Sequence, residues 1–158
     1  MDTIFRTVSH NAWLLFIVVT CANAATWWNR GKTQIKEHPE LEGSYRTLVR
    51  GLIIYGNLPW LVMGAGIVTG RVPTVFHYFN PRNGPFVIAF YVTTVGLWVA
   101  MIRWVFFRNG AEQIIRHPGL LNFPIQEPWK VKALLVLMLA SGVAALAMMI
   151  LGNFQFPE

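Results

Sequence analysis

The sequence predicts an all-α integral membrane protein with four transmembrane helices, built as two tandem helical hairpins. Hydrophobic residues make up 54% of the chain and charged residues only 13%, whereas an ordinary soluble domain has roughly 25% charged residues. The apolar residues fall in four blocks, each close to the roughly 17 to 25 residues that a helix needs to cross a bilayer. We expect the spans at about 12–28, 51–70, 85–107 and 133–151.

An internal repeat predicts how these spans are organised. The stretch 31–41, GKTQIKEHPEL, returns at 110–120 as GAEQIIRHPGL, at an offset of 79 residues in a chain of 158. This pattern indicates one hairpin unit written twice, as residues 1–79 and 80–158, which together form one membrane domain. Because each unit has an even number of spans, both copies are expected to have the same orientation.

The basic residues predict the orientation in the membrane. Of the thirteen Lys and Arg residues, only Arg6, Arg71 and Arg82 lie outside two clusters around the repeated stretches. The positive-inside rule therefore places both His-Pro loops in the cytoplasm and both termini outside, as expected for a bacterial cytoplasmic (inner) membrane. The same clusters explain the net charge of +6 as a membrane-anchoring rim, and no nucleic-acid partner is expected.

Span one contains the only cysteine, Cys21, so no intramolecular disulfide is possible. Residues 21–25 resemble the small-residue cleavage site of a signal peptide. We expect no cleavage, because the apolar block continues to Trp28 and the repeat pairs it with the third block. The inner stretch that follows is predicted to be a short interfacial helix that ends before Pro39.

Span two differs most from a simple apolar helix. Its apolar sequence is interrupted at Gly51, Gly56, Asn57, Pro59, Gly64, Gly66 and Gly70. Pro59 is expected to kink the helix, and the Gly66-x-x-x-Gly70 spacing is expected to admit a neighbouring helix. We therefore interpret span two as the central packing helix.

The aromatic connection 71–84 predicts a short helix or turn lying on the outer surface. Span three begins at Pro85, a favourable first helical position. Small residues are expected to form helix contacts on the last two spans. They are Ala89, Gly96 and Ala100 on span three, and Ala140, Ser141 and Ala144 on span four.

Asn23 and Asn57 are the strongly polar side chains deep in apolar spans, at matching depth below the cytoplasmic interface. An unpaired amide in hydrocarbon is costly, so the two are predicted to hydrogen-bond across spans one and two. The alternative is a polar pocket open to the cytoplasm. It would be lined by Asn57 and Asn23 near Pro59, whose ring displaces the carbonyl of Tyr55.

His38 and His117 occupy equivalent positions in the two repeats. A pseudo-two-fold axis could bring them together as ligands of a haem or another metal centre on the cytoplasmic side. The simpler interpretation is that each His-Pro pair ends a short helix and the imidazole caps its backbone carbonyls. Apart from this haem or metal alternative no cofactor is expected, and bound lipid is.

Arg46-x-x-x-Arg50 followed by Asn57-x-Pro59, with four spans and cytoplasmic first and third loops, resembles the membrane-associated glutathione and eicosanoid enzymes. Their second helix carries Arg, Asn and Pro in a similar order, and Gly56 stands where they have an acidic residue. The resemblance implies a glutathione-transferase-like membrane enzyme as an alternative.

Other function classes find less support in the sequence. The spans contain no Asp, Glu or Lys, which ion-coupled transporters usually need near the midplane. Nucleophilic triads, phosphate-binding glycine loops and zinc spacings are absent. The sequence favours a non-enzymatic membrane protein that is a homo-oligomer or a subunit of a larger membrane complex, with a small pore or ligand pocket at the broken second helix. The alternatives are the transferase-like enzyme and a small haem or metal redox subunit.

Overall fold

The computed structural model describes residues 2–120 and 125–152, and side chains from residue 7 onward. The described chain is helical, with α1 at Asp2–Glu37, α2 at Glu42–Val68, α3 at Pro85–Phe107, α4 at Gly110–Ile115 and α5 at Pro128–Leu151. Two 3₁₀ helices lie at Pro39–Leu41 and Val75–Phe79. α1, α2, α3 and α5 are long and apolar enough to cross a membrane, which confirms the all-α, four-helix prediction.

The helices extend beyond three of the four predicted spans. Span three matches α3 at both ends, but α1 continues through the charged stretch to Glu37, α2 begins at Glu42 and α5 begins at Pro128. Hydropathy locates only the apolar part of a helix. The helix itself continues until its backbone hydrogen bonding is interrupted. In α1 the first stop is Pro39, so the predicted interfacial helix is the continuation of α1 rather than a separate piece.

The equivalent stretch of the second half is built differently. There α3 ends at Phe107, and Asn109 takes the left-handed conformation with φ of 56° before α4 begins. Asparagine tolerates this conformation better than most residues. In the first half Arg30 precedes the glycine, and α1 continues without a break. The tandem repeat stays a prediction from the sequence.

α1 and α2 form a tightly packed antiparallel hairpin. A Cβ added to Gly64 would lie 2.5 Å from the Trp13 ring, and one added to Gly56 would lie 3.0 Å from Thr20. The two helices therefore approach closely because α2 has glycine where α1 presents larger side chains.

α2 packs against both α1 and α3, as expected for the central helix. Pro59 lies inside it, within one continuous α-helix. The predicted Gly66-x-x-x-Gly70 helix contact is confirmed at Gly66, where an added Cβ would lie 3.0 Å from Cβ of Phe86 in α3, and is wrong at Gly70. α2 ends at Val68, Gly70 has a positive φ of 69°, and the carbonyl of Gly66 accepts hydrogen bonds from Arg71 N–H and Val72 N–H. Gly70 thus terminates the helix, a role in which glycine avoids Cβ strain.

The aromatic connection after α2 forms the predicted short helix, Val75–Phe79, and fixes one end of the bundle. Tyr78 is buried, its hydroxyl donates to the carbonyl of Met63 at 2.9 Å, and the Tyr91 hydroxyl donates to the carbonyl of Tyr78 at 2.7 Å. Burial raises the pKa of Tyr78 to about 12. The core at this end consists of Met63, Ile67, Val72, Tyr78 and Val87.

A second core lies toward the other end, which carries both His-Pro loops. Here α5 packs on α3 and α4 around Val105, Ala111, Val131 and Leu135. Elsewhere α3 and α5 expose most of their apolar surface. Only a hydrocarbon environment or further protein would cover these faces.

Candidate functional site

His117 lies at the point where the two halves of the chain meet. It is 5% exposed. Its Nδ1 lies 2.5 Å from the carbonyl oxygen of Gln113 in α4, and its Nε2 lies 2.5 Å from Oγ of Ser44 in α2. A carbonyl can only accept, so Nδ1–H is the donor to Gln113. The ring therefore caps a carbonyl of α4, as the simpler interpretation predicted, and also joins α4 to α2.

Tyr45 adds a second connection beside the first. Its hydroxyl donates to the carbonyl of Pro118 at 2.6 Å, and its ring meets the His117 ring edge-on with 4.7 Å between centroids. The same ring covers Gly31 of α1, where an added Cβ would lie 2.8 Å from it. One buried tyrosine thus contacts α1 and the second His-Pro loop while belonging to α2.

The turn at Gly119 completes this contact. Gly119 has a positive φ of 90°, and a Cβ at this position would lie 2.9 Å from Cβ of Arg30. Both its conformation and its closeness to α1 favour glycine. We call Ser44, Tyr45, His117 and Pro118 the inter-half contact.

His38 has a different environment. Its side chain is 57% exposed, and its Nδ1 lies 3.2 Å from Oε1 of Glu40. His117, in contrast, uses both ring nitrogens in hydrogen bonds, and metal binding by it would have to replace at least one of them. The part of the chain that the structure describes contains no group of three or more His, Cys, Asp or Glu residues that could hold a metal ion. A haem or metal role for this pair stays a prediction.

Asn57 is buried between α1 and α2, with 5% of its surface exposed. Its Nδ2 donates to the carbonyl of Ile53 at 2.8 Å and contacts Sγ of Cys21 at 3.7 Å. Its Oδ1 is buried and has no partner among the described residues. An unpaired buried acceptor normally costs about 1 to 3 kcal/mol.

The predicted hydrogen bond between Asn23 and Asn57 is wrong. Asn23 is exposed, while Ala24, the next residue, is fully buried. The residue of α1 that contacts Asn57 is Cys21. Each residue of a helix is rotated by about 100° from the last, and this rotation turns Asn23 away from α2.

The predicted pocket residues do not converge. Tyr55 is 62% exposed on the outer surface of α2, Asn23 is exposed on α1, and Pro59 is half-buried beside the buried Asn57. The structure has clefts of about 320 and 410 Å³ elsewhere, at the end of α3 near the His-Pro loops and at the end of α5. A ligand role for these four residues stays a prediction.

Arg46 and Arg50, on which the resemblance to the membrane-associated glutathione enzymes rests, lie on the surface. Arg46 pairs with Glu42 one turn earlier at 2.9 Å, and Arg50 is exposed. Asn57 is buried about two turns beyond Arg50 along α2. The transferase-like alternative stays a prediction.

The inter-half contact includes two residues that were not predicted from the sequence, Ser44 and Tyr45. One signal was present. At the offset of 79, Ser44 and Tyr45 correspond to Phe123 and Pro124. The repeat is therefore interrupted just where the first half supplies the groups that bind the second.

The cleft at the end of α3 is lined by Val99, Ile102, Arg103, Phe107 and Arg108. It combines an apolar wall with two cations. Comparison with known proteins finds no matching family model, no matching curated protein and no matching solved structure.

Proposed function

We propose that the chain is a non-enzymatic integral membrane protein that acts as a homo-oligomer assembled through the outward face of α3. Its four long apolar helices support membrane insertion. Its basic clusters support cytoplasmic His-Pro loops and external termini in a bacterial inner membrane. Lipid covers the remaining apolar faces.

The observation that carries the proposal is the contrast between Gly96, in the middle of α3, and the glycines Gly64 and Gly142 of α2 and α5. A Cβ added at Gly64 or Gly142 would lie within 2.5 to 2.7 Å of a tryptophan ring, because these glycines are used in internal contacts. A Cβ added at Gly96 would meet nothing within 4 Å. Among the residues that the structure describes, none packs against this glycine.

Gly96 lies on the face of α3 that points away from the rest of the chain. The buried residues Val87 and Val105 are nine residues before and after it, and nine residues turn a helix by about 900°, which is the opposite side. Ala89 and Ala100 are exposed on the same side as Gly96. Small residues at this spacing let two helices approach closely in a membrane, and a two-fold axis makes one such face self-complementary.

The oligomeric mass of the purified protein in mild detergent and in lipid nanodiscs tests this proposal. The wild-type protein should be a dimer or larger, and Gly96→Leu should shift it to the monomer. Val95→Leu, on the same helix but about 100° away, is the matched control and should leave the mass unchanged. A monomeric wild-type protein, or an unchanged mass for Gly96→Leu, would overturn the proposal.

One observation favours a second candidate, a small polar pocket at Asn57. The unpartnered Oδ1 of Asn57 needs a hydrogen-bond donor, which a water molecule or a polar ligand entering beside Pro59 would supply. Conductance of the reconstituted protein in planar bilayers tests this candidate. A conductance that Asn57→Leu abolishes without loss of folding supports it, and wild-type protein without conductance argues against a pore.

A further inference from the structure

The cleft of about 320 Å³ at the cytoplasmic end of α3 has an unusual combination of linings. Val99, Ile102 and Phe107 supply an apolar wall. Arg103 and Arg108 supply two positive charges. A hydrocarbon chain and an anionic group would each find a complementary surface there.

No side chain that the structure describes neutralises these two charges. Both arginines are exposed, and neither has an ion pair or hydrogen bond among the side chains that the structure describes. The nearby carboxylate of Glu112 faces Lys132 instead, at 3.8 Å. The cleft therefore carries two positive charges, and no described carboxylate pairs with either of them.

The end of α3 explains why the two arginines share one cleft. In a continuous helix, residues five apart point about 140° from each other. Here Arg108 leaves helical geometry with φ of −124° and Asn109 is left-handed, so the chain turns sharply after Phe107. Gly110 lets this turn pack closely against Trp104, because a Cβ there would lie 2.7 Å from the indole ring. The turn thus places Arg108 beside Arg103.

We propose that this cleft binds an anionic phospholipid of the cytoplasmic leaflet, with the phosphate between Arg103 and Arg108 and an acyl chain along Val99, Ile102 and Phe107. The inference rests on the membrane insertion and orientation of the proposed function. Guanidinium groups bind phosphate oxygens through paired, charge-assisted hydrogen bonds. A zwitterionic lipid brings an ammonium group that two arginines repel, and a free phosphate brings no chain for the apolar wall.

Native mass spectrometry of lipid retention tests the site. The protein is titrated with phosphatidylglycerol and, separately, with phosphatidylcholine. The wild-type protein should retain phosphatidylglycerol preferentially. Arg103→Gln/Arg108→Gln should weaken this binding roughly 10- to 30-fold, because each basic residue near an anionic surface contributes about 1 kcal/mol.

Arg50→Gln is the matched control, because Arg50 is also exposed near this end of the bundle but lies outside the cleft. It should reduce binding at most a few-fold. Ile102→Asn tests the apolar wall and should weaken lipid binding while both arginines remain. Glycerol 3-phosphate, which has the phosphate without the chains, should not compete at millimolar concentration.

Three results would overturn the site: equal retention of the two lipids, an equal loss in Arg50→Gln, or effective competition by glycerol 3-phosphate. The first two would show no selective cleft, and the third would indicate a soluble phosphate ligand. The same spectra give the oligomeric mass independently. A monomer that retains phosphatidylglycerol would contradict the proposed oligomer but support the lipid site. An oligomer without selective retention would support the oligomer but contradict the lipid site.

Discussion

Nε2 of His117 lies 2.5 Å from Oγ of Ser44, although the two residues are 73 positions apart in the chain. Because Nδ1–H is committed to the carbonyl of Gln113, Nε2 of the neutral ring is an acceptor for the Ser44 hydroxyl. The carbonyl of Leu41, 2.8 Å from the same hydroxyl, competes for its single proton. The second His-Pro loop is thus held to the N-terminal turn of α2 by buried polar groups.

Replacing His117 with Ala should destabilise the protein by about 1 to 3 kcal/mol, because it removes a buried side chain together with its hydrogen bonds to Gln113 and Ser44. Denaturant-induced unfolding in detergent, followed by circular dichroism, measures this change in the free energy of unfolding. His38→Ala is the control at the equivalent position and should cost less than about 0.5 kcal/mol, since His38 is exposed. Equal losses in the two variants would contradict the asymmetry that the structure shows.

Replacing Tyr45 with Phe should cost about 0.5 to 1.5 kcal/mol, because it removes only the hydrogen bond to Pro118 and keeps the ring over Gly31. A double-mutant cycle with Ser44→Ala measures how far the two bonds depend on each other. Their donors are adjacent in α2 and their acceptors are adjacent in the loop, so we expect coupling. Strictly additive losses would show that the two bonds act independently.

Replacing two glycines of α2 with alanine should change the stability of the protein in opposite directions. Gly64→Ala should destabilise, because its Cβ would lie 2.5 Å from the Trp13 ring. Gly43→Ala has nothing within 4 Å and should stabilise by up to about 1 kcal/mol, through the higher helix propensity of alanine. Thermal unfolding of the two variants in one detergent decides this. Stabilisation by Gly64→Ala would contradict the close approach of α1 and α2.

Stability should fall at alkaline pH through Tyr78. Its folded pKa is raised to about 12 by burial, above an unfolded value near 10. The neutral hydroxyl therefore favours the folded state, with its full contribution below pH 10 and a loss as the pH rises from 10 toward 12. Absorbance of tyrosinate during a pH titration should show that the last tyrosine to titrate is missing in Tyr78→Phe. Titration of every tyrosine near pH 10 before unfolding would contradict its burial.

The proposed orientation predicts which positions an impermeant thiol reagent can reach in intact cells. In a Cys21→Ser background, Thr33→Cys and Arg116→Cys should be protected and Arg82→Cys should react, because the first two flank the His-Pro loops. Permeabilised cells provide the control for intrinsic reactivity. The reverse pattern would invert the assigned topology.

The sequence predicted most of the architecture, because apolar length and proline position are local properties. Pro85 marked the start of α3 correctly, and the aromatic stretch before it did form a short helix. Local patterns did not determine which way a side chain faces. Asn23 and Asn57 have similar depth but different directions around their helices.

Features that depend on distant partners were also missed. Gly66 and Gly70 have the spacing of a helix contact, but Gly70 ends the helix because the chain turns there toward Tyr78. Ser44 and Tyr45 have no unusual local context. Their role depends on a loop that is more than seventy residues away and is brought close only by the packing of α1, α2 and α4.

Disulfide cross-linking in isolated membranes tests assembly through the Gly96 face, because it reports association through one face of α3 in the native bilayer. In a Cys21→Ser background, Ala100→Cys lies one turn from Gly96 on the proposed contact face, and Val95→Cys lies about 100° from it. Mild oxidation should yield a covalent dimer for Ala100→Cys and little for Val95→Cys. No dimer at Ala100, or equal dimer at both positions, would contradict assembly through the Gly96 face.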